Sequence, residues 1–225
     1  MRAVALTLFL LLCSTTASSQ NIQTTDKLSD EQWRELETLL VKEDWVKSAD
    51  LAAKFLKEMK NGEERGVGLL RHMFIFASAG KVTTGKMSYE GLGKAMKALV
   101  GKTVSLPPLV LTTDCMPPAN KICAQKGESD ELFSGATNRA GTNIHAFNII
   151  QLEKKMDLTK REGSAVVVGG RIKAIAPNPI KSRLWVMRLY IENGFIEFPE
   201  KPSSRVATLR NIEIRNIENR QDLQD

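Results

Sequence analysis

The chain has 225 residues, of which 42% are hydrophobic and 26% charged, and carries a formal net charge of +6. After the first dozen residues no run is apolar for anything near the ~18 positions of a membrane-spanning helix, which excludes a retained span there. The length suits one large domain or two small ones.

Met1-Arg2, the apolar run Ala3 to Leu12 and the small residues Ala17-Ser18-Ser19 have the layout of a cleavable secretory signal. Residues 1–19 are therefore expected to be removed, with cleavage after Ala17 or Ser19, leaving a secreted or periplasmic product without stable membrane insertion. Leu12, before Cys13, is too bulky for the usual lipidation site. Loss of Cys13 leaves Cys115 and Cys123 as a pair in a compartment where disulfides persist.

Residues 20–101 read as a helical domain. Ser29 and Gln32 have capping-box spacing, and Trp33, Leu36, Leu39 and Leu40 then share one face. A second helix carries Trp45, Ala49, Ala52, Phe55, Leu56 and Met59 before Asn61-Gly62. A third, from about Glu64 to Ala79, is apolar on most sides, as a helix surrounded by others would be, and Gly80 is expected to end it. A fourth begins near Ser88, buries Leu92, Ala95, Met96 and Leu99, and stops at Gly101.

Residues 102–199 read as an antiparallel β domain. Strands are expected at Thr103 to Leu106, Glu131 to Thr137, Ile144 to Leu152, Ala165 to Ala176 and Leu184 to Phe198. Asn193-Gly194 predicts a tight hairpin inside the last of these, because both residues tolerate positive φ. The polar stretch Asp157 to Glu162 can form a short helical turn between the third and fourth strands. This order of β, β, β, short α, β, β resembles the five-stranded oligonucleotide/oligosaccharide-binding barrel, the OB-fold. The resemblance covers residues 102 to 198 by element order, and it implies binding more readily than catalysis. The expected class is thus α+β, with about four helices followed by a small antiparallel β-barrel or sheet.

Residues 200–225 form a C-terminal segment that is expected to dock in part. It repeats Arg210-Asn211-Ile212-Glu213 as Arg215-Asn216-Ile217-Glu218, while Arg220 to Asp225 is polar enough to fray.

Among residues that could carry chemistry, Cys115 and Cys123 enclose two prolines, a spacing that suits a structural bridge and not a redox centre. The two histidines, His72 and His145, lack a close-spaced partner ligand, so neither a metal nor another cofactor is expected. Glu63-Glu64, Asp130-Glu131 and Glu153 could supply a glycosidase pair, but spacing alone does not bring any two together, and no Gly-x-Ser-x-Gly turn is present. Gly66-x-Gly68 and Gly91-x-Gly93 lack the context of a phosphate-binding loop and suit helix packing instead.

The most pointed expectation is a basic face. Residues 160 to 190 hold seven basic side chains against one acid, Glu162. With Trp185, Met187, Leu189 and Ile191 turned to the core, alternation turns Arg188 and Tyr190 outward, and Arg171 and Lys173 likewise on the preceding strand. If those strands are neighbours, Arg171, Lys173, Arg188 and Tyr190 make an anion-binding surface with one aromatic platform. The expected function is a non-catalytic binding or interaction module for an unknown protein or anionic ligand. An OB-like module for nucleic acid or acidic oligosaccharide, and a hydrolase with an unrecognised site, are the alternatives, and export disfavours nucleic acid.

Overall fold

A computed structural model of the chain describes residues 28–59, 65–115, 121–181 and 184–199. Helices come first: α1 (Asp30–Val41), α2 (Trp45–Glu58), α3 (Arg65–Thr83) and α4 (Tyr89–Met96), the last continued by a 3-10 turn at Lys97–Leu99. Strands β1 (Thr103–Ser105), β2 (Leu109–Thr112), β3 (Lys121–Ala124), β4 (Glu128–Thr137), β5 (Ile144–Asp157), β6 (Ala165–Pro177) and β7 (Trp185–Glu197) follow, with a 3-10 turn at Thr159–Arg161 between β5 and β6. The protein is α+β, helices preceding one seven-stranded mixed sheet.

Side-chain caps decide where helices begin. The Gln32 amide donates to Ser29 Oγ at 3.2 Å and the Ser29 amide to Gln32 Oε1 at 2.8 Å, a complete capping box. Asp44 caps α2 through the Lys47 amide, and Ser88 caps α4 through the Gly91 amide at 3.0 Å. Gly80 does not end α3, which runs on to Thr83. Its missing side chain serves packing, because a Cβ at Gly80 would fall inside the Trp45 ring. The stop comes at Gly85, whose φ of 70° leaves the helix.

Strands pair in the order β1-β6-β2-β3-β4-β5-β7, and β6 pairs with β7 as well. Expectation and structure differ here in three ways. The sheet is not wholly antiparallel, since β2 with β3 and β5 with β7 are parallel pairs. Strands β2 and β3 are additional; each is four residues long, and they lie beside the Pro107-Pro108 and Pro117-Pro118 pairs that mask strand patterning. Asn193-Gly194 forms no hairpin: β7 continues through it against β6, with a register shift between Gly169 and Arg171. The positive φ of Asn193, 50°, is thus spent on a bulge. Gly194 is needed there because a Cβ would sit 2.6 Å from Ile150 Cγ2 of the neighbouring β5.

Helix α3 is apolar all round because it is packed on both sides. Its Leu70 and Val67 join Trp33, Leu36 and Phe55 of α1 and α2 in one buried cluster. Its Ile75 and Ala79, with Leu92 and Met96 of α4, enter the larger cluster formed by Val104, Leu111, Ile122, Leu132, Ile150, Ile172 and Leu189 of the sheet. Burying each such side chain contributes roughly 1.5 to 3 kcal/mol, so helices and sheet are held by a shared core. The other face of β3, β4, β5 and β7 is left for the site described next.

Candidate functional site

Strand register places side chains in rows across this outer face. Gly135 of β4 lies opposite Phe147 of β5, and Phe147 opposite Arg188 of β7. Ile122 is opposite Ser134, so one step along both antiparallel strands brings Lys121 beside Gly135. The row therefore reads Lys121, Gly135, Phe147, Arg188. The adjacent row on the same face reads Cys123, Phe133, Ile149, Tyr190. Between them Ser134 and Asn148 are buried, with Asn148 Nδ2 donating to Ser134 Oγ at 2.9 Å. The first row, the Cys123, Phe133 and Ile149 positions of the second and the end of β2 bound a groove of about 470 Å³, a size within the range of small-molecule sites.

Beside the groove stands Trp185, whose ring lies 6.1 Å from that of Phe147 and 5.1 Å from the Arg188 guanidinium. Alternation assigns Trp185 to the core, but in the structure Trp185 is half-buried and Val186 is buried instead. Successive residues His145-Ala146 on β5 and Val186-Met187 on β7 are all buried at one level, which interrupts both alternations and turns Trp185 to the outer face. Asn178 holds the interruption, its amide N–H bonded to the Val186 carbonyl at 2.7 Å and its Nδ2 to the Trp185 carbonyl at 2.9 Å.

Strands β6 and β7 are neighbours, and Arg171, Lys173, Arg188 and Tyr190 occupy different parts of one face. Only Arg188 lines the groove. Tyr190, half-buried, sits one row below it beside Ala174. Arg171 is opposite Glu192 and forms an ion pair with it at 2.6 Å. Lys173 is exposed at a register shift between Ile172 and Ala174. Of the other basic residues, Arg161 lies over the Phe198 ring at 4.9 Å. Glu162 accepts from the Thr113 amide and hydroxyl, contacts that hold its carboxyl below the usual range. Arg183 lies outside the described residues, as do residues 1–19, Glu63-Glu64 and the C-terminal repeat.

Cys115 and Cys123 are at disulfide distance, with Cα atoms 5.2 Å apart, and both line the groove. They tie the end of β2 to β3, a parallel pair joined by a connection far shorter than the dozen or more residues usual for parallel strands. His72 and His145 are buried on the other side of the sheet around Phe76, and burial pushes both imidazoles down to about 4. His145 packs between Trp45 and Phe76 with no hydrogen bond to either ring nitrogen. Among the described residues no three His, Cys, Asp or Glu side chains converge as metal ligands. Gly68 packs against Ser105 of β1, whose amide nitrogen would lie 2.9 Å from a Cβ.

Phe133, Gly135, Phe147 and Lys121 are among the groove residues that the sequence pattern does not single out. The signal was an inverted alternation: on β4 and β5 the polar Ser134 and Asn148 turn inward while the two phenylalanines turn outward. Polar-out reading of such strands assigns the faces the wrong way round. No protein-family model matches the chain, and comparison with curated proteins and with solved structures returned no match.

Proposed function

We propose that this protein is an exported binding module whose sheet closes as an OB-like barrel and whose outer groove holds a short acidic oligosaccharide. The row Lys121, Gly135, Phe147, Arg188 is the observation that carries the reading, since it offers two cations and an aromatic face across one cavity. Cations meet carboxylate or sulfate groups, and aromatic faces meet the apolar face of a sugar ring.

Support for the barrel comes from the pairing circuit, which runs from β6 through β2, β3, β4, β5 and β7 and returns to β6. Its parallel β5–β7 pair, with a helical turn between β5 and β6, follows the OB order. An acidic saccharide suits the face better than a long polynucleotide does. Glu131 follows the groove along β4, so an extended chain of phosphates would meet a carboxylate there. Binding without catalysis is favoured because the groove lining, among the described residues, includes neither a carboxylate nor an imidazole. The leader and the Cys115–Cys123 pair support export.

Titration with a heparin-derived oligosaccharide tests the reading. Affinity should fall with rising salt and drop about tenfold or more in Arg188→Ala and in Lys121→Ala, a charge-assisted contact being worth roughly 1.5 to 3 kcal/mol. Affinity equal to wild type in both variants would place the ligand elsewhere. An oligothymidylate of similar charge that binds more tightly would favour nucleic acid instead. N-terminal sequencing of the protein from its native source checks the export half, and an intact Met1 would overturn it.

A further inference from the structure

Gly135 has no structural reason to be glycine. It lies inside β4, where glycine is less favourable than alanine by roughly 0.5 to 1 kcal/mol. Its φ is not among the positive ones. Other glycines of the sheet are required by packing: a Cβ at Gly194 would meet Ile150 Cγ2 at 2.6 Å, and one at Gly170 would meet the Glu192 carbonyl oxygen at 2.7 Å. At Gly135 the nearest neighbour of a Cβ is Ile144 Cγ2 at 4.0 Å, an ordinary contact distance. Yet the residue is buried. Gly135 is among the residues lining the groove, so the room above its backbone belongs to that cavity.

We infer that Gly135 is the specificity-determining position of this groove, leaving a slot in which one ring of an acidic sugar lies on the β4 backbone, beside Phe147 and between Lys121 and Arg188. Three strand spacings of about 4.8 Å separate the Lys121 and Arg188 backbones, so their side chains flank a single ring and its charged substituents. A side chain at position 135 would occupy the volume that the ring needs and leave the core face untouched, because Leu132 and Ile150 pack on the opposite side of the strands. This inference rests on the groove being the ligand site, as proposed above.

The decisive experiment pairs stability with binding in Gly135→Val and Gly135→Ala. Valine suits a strand and glycine does not, so the midpoint of urea unfolding should stay constant or rise in both variants. Affinity for the heparin-derived oligosaccharide should fall at least tenfold in Gly135→Val and less in Gly135→Ala, whose single methyl group fills less of the slot. Should Gly135→Val fold poorly, Gly135→Ala carries the test, and a weaker affinity at wild-type stability still supports the slot. Wild-type affinity in the Gly135 variants alongside loss in Arg188→Ala would overturn the slot and leave the binding site standing. Absence of any oligosaccharide binding by the wild-type protein would overturn both. Oligothymidylate binding that alone responds to Gly135→Val would overturn the assignment to an acidic sugar.

Discussion

Gly80 and Trp45 occupy adjoining space so closely that either determines what the other can be. The indole of Trp45 lies over the backbone of α3 where a Cβ would otherwise stand, with Phe76 edge-on to it at 5.4 Å. Gly80→Ala should therefore cost about 1 to 3 kcal/mol, the usual penalty for overpacking, outweighing alanine's better helix propensity. Urea unfolding measures it, and a stabilised variant would show that Trp45 can move aside. Asn178 is a second fixed point. It is buried, and it bonds the Trp185 carbonyl and, through Oδ1, the Ile180 amide at 3.0 Å. Asn178→Ala should cost about 1 to 3 kcal/mol through the unmet partners. It should also weaken oligosaccharide binding, because Trp185 and Arg188 depend on that turn; calorimetry of unfolding and of binding would report the two effects separately. Neither role is visible from residue type, since glycine and asparagine are turn residues by default and only their neighbours reveal a packing or clamping duty.

Elements divide into those with local determinants and those without. Ser29, Gln32 and Ser88 signal their helices by capping alone, and the structure starts α1 and α4 one residue after each cap. Strands β4, β5 and β6 were legible from β-rich runs, although β4 starts earlier and β5 ends later than their apolar stretches. By contrast, β2 and β3 have only four residues each and exist through pairing. Cys115 and Cys123 bind their ends together, and closing so short a loop is worth roughly 2 to 3 kcal/mol in the chain-entropy model. Reduction by a dithiol should lower stability by about that amount and raise amide exchange in β2 and β3 before α1 and α2, an order that hydrogen-exchange mass spectrometry resolves. Uniform exchange on reduction would mean that the bridge acts on the whole domain. The groove was legible at this scale only in part. Arg188 and Tyr190 were placed outward by alternation, whereas Phe133 and Phe147 were missed because their polar neighbours Ser134 and Asn148 take the inward positions, where Asn148 Nδ2 donates to Ser134 Oγ.

For the whole molecule, the shared core makes the helices and the sheet answer to the same conditions. His72 and His145 lie in the layer between α2, α3 and β5, and burial lowers both from the ordinary 6.5 to about 4. Between those values the unfolded chain takes up protons that the folded chain does not, so stability is complete above pH 6.5 and falls as pH drops toward 4. Each histidine contributes up to about 3 kcal/mol to that loss, a large share of an ordinary domain stability of about 5 to 15 kcal/mol. Urea midpoints measured across that range should decline, and His145→Phe should flatten part of the decline; a flat profile in the wild-type protein would show that water reaches both rings. By itself the sequence determined the α+β class, the helix starts, the apolar character of α3 and the outward course of Arg188, because caps and periodicity act over a few residues. Tertiary structure alone decided that β5 and β7 run parallel, that Asn193-Gly194 is a bulge, and that Trp185 leaves the core to stand beside Phe147. Those outcomes depend on which strands meet, and pairing between distant segments is settled by the burial and hydrogen bonding of the assembled sheet.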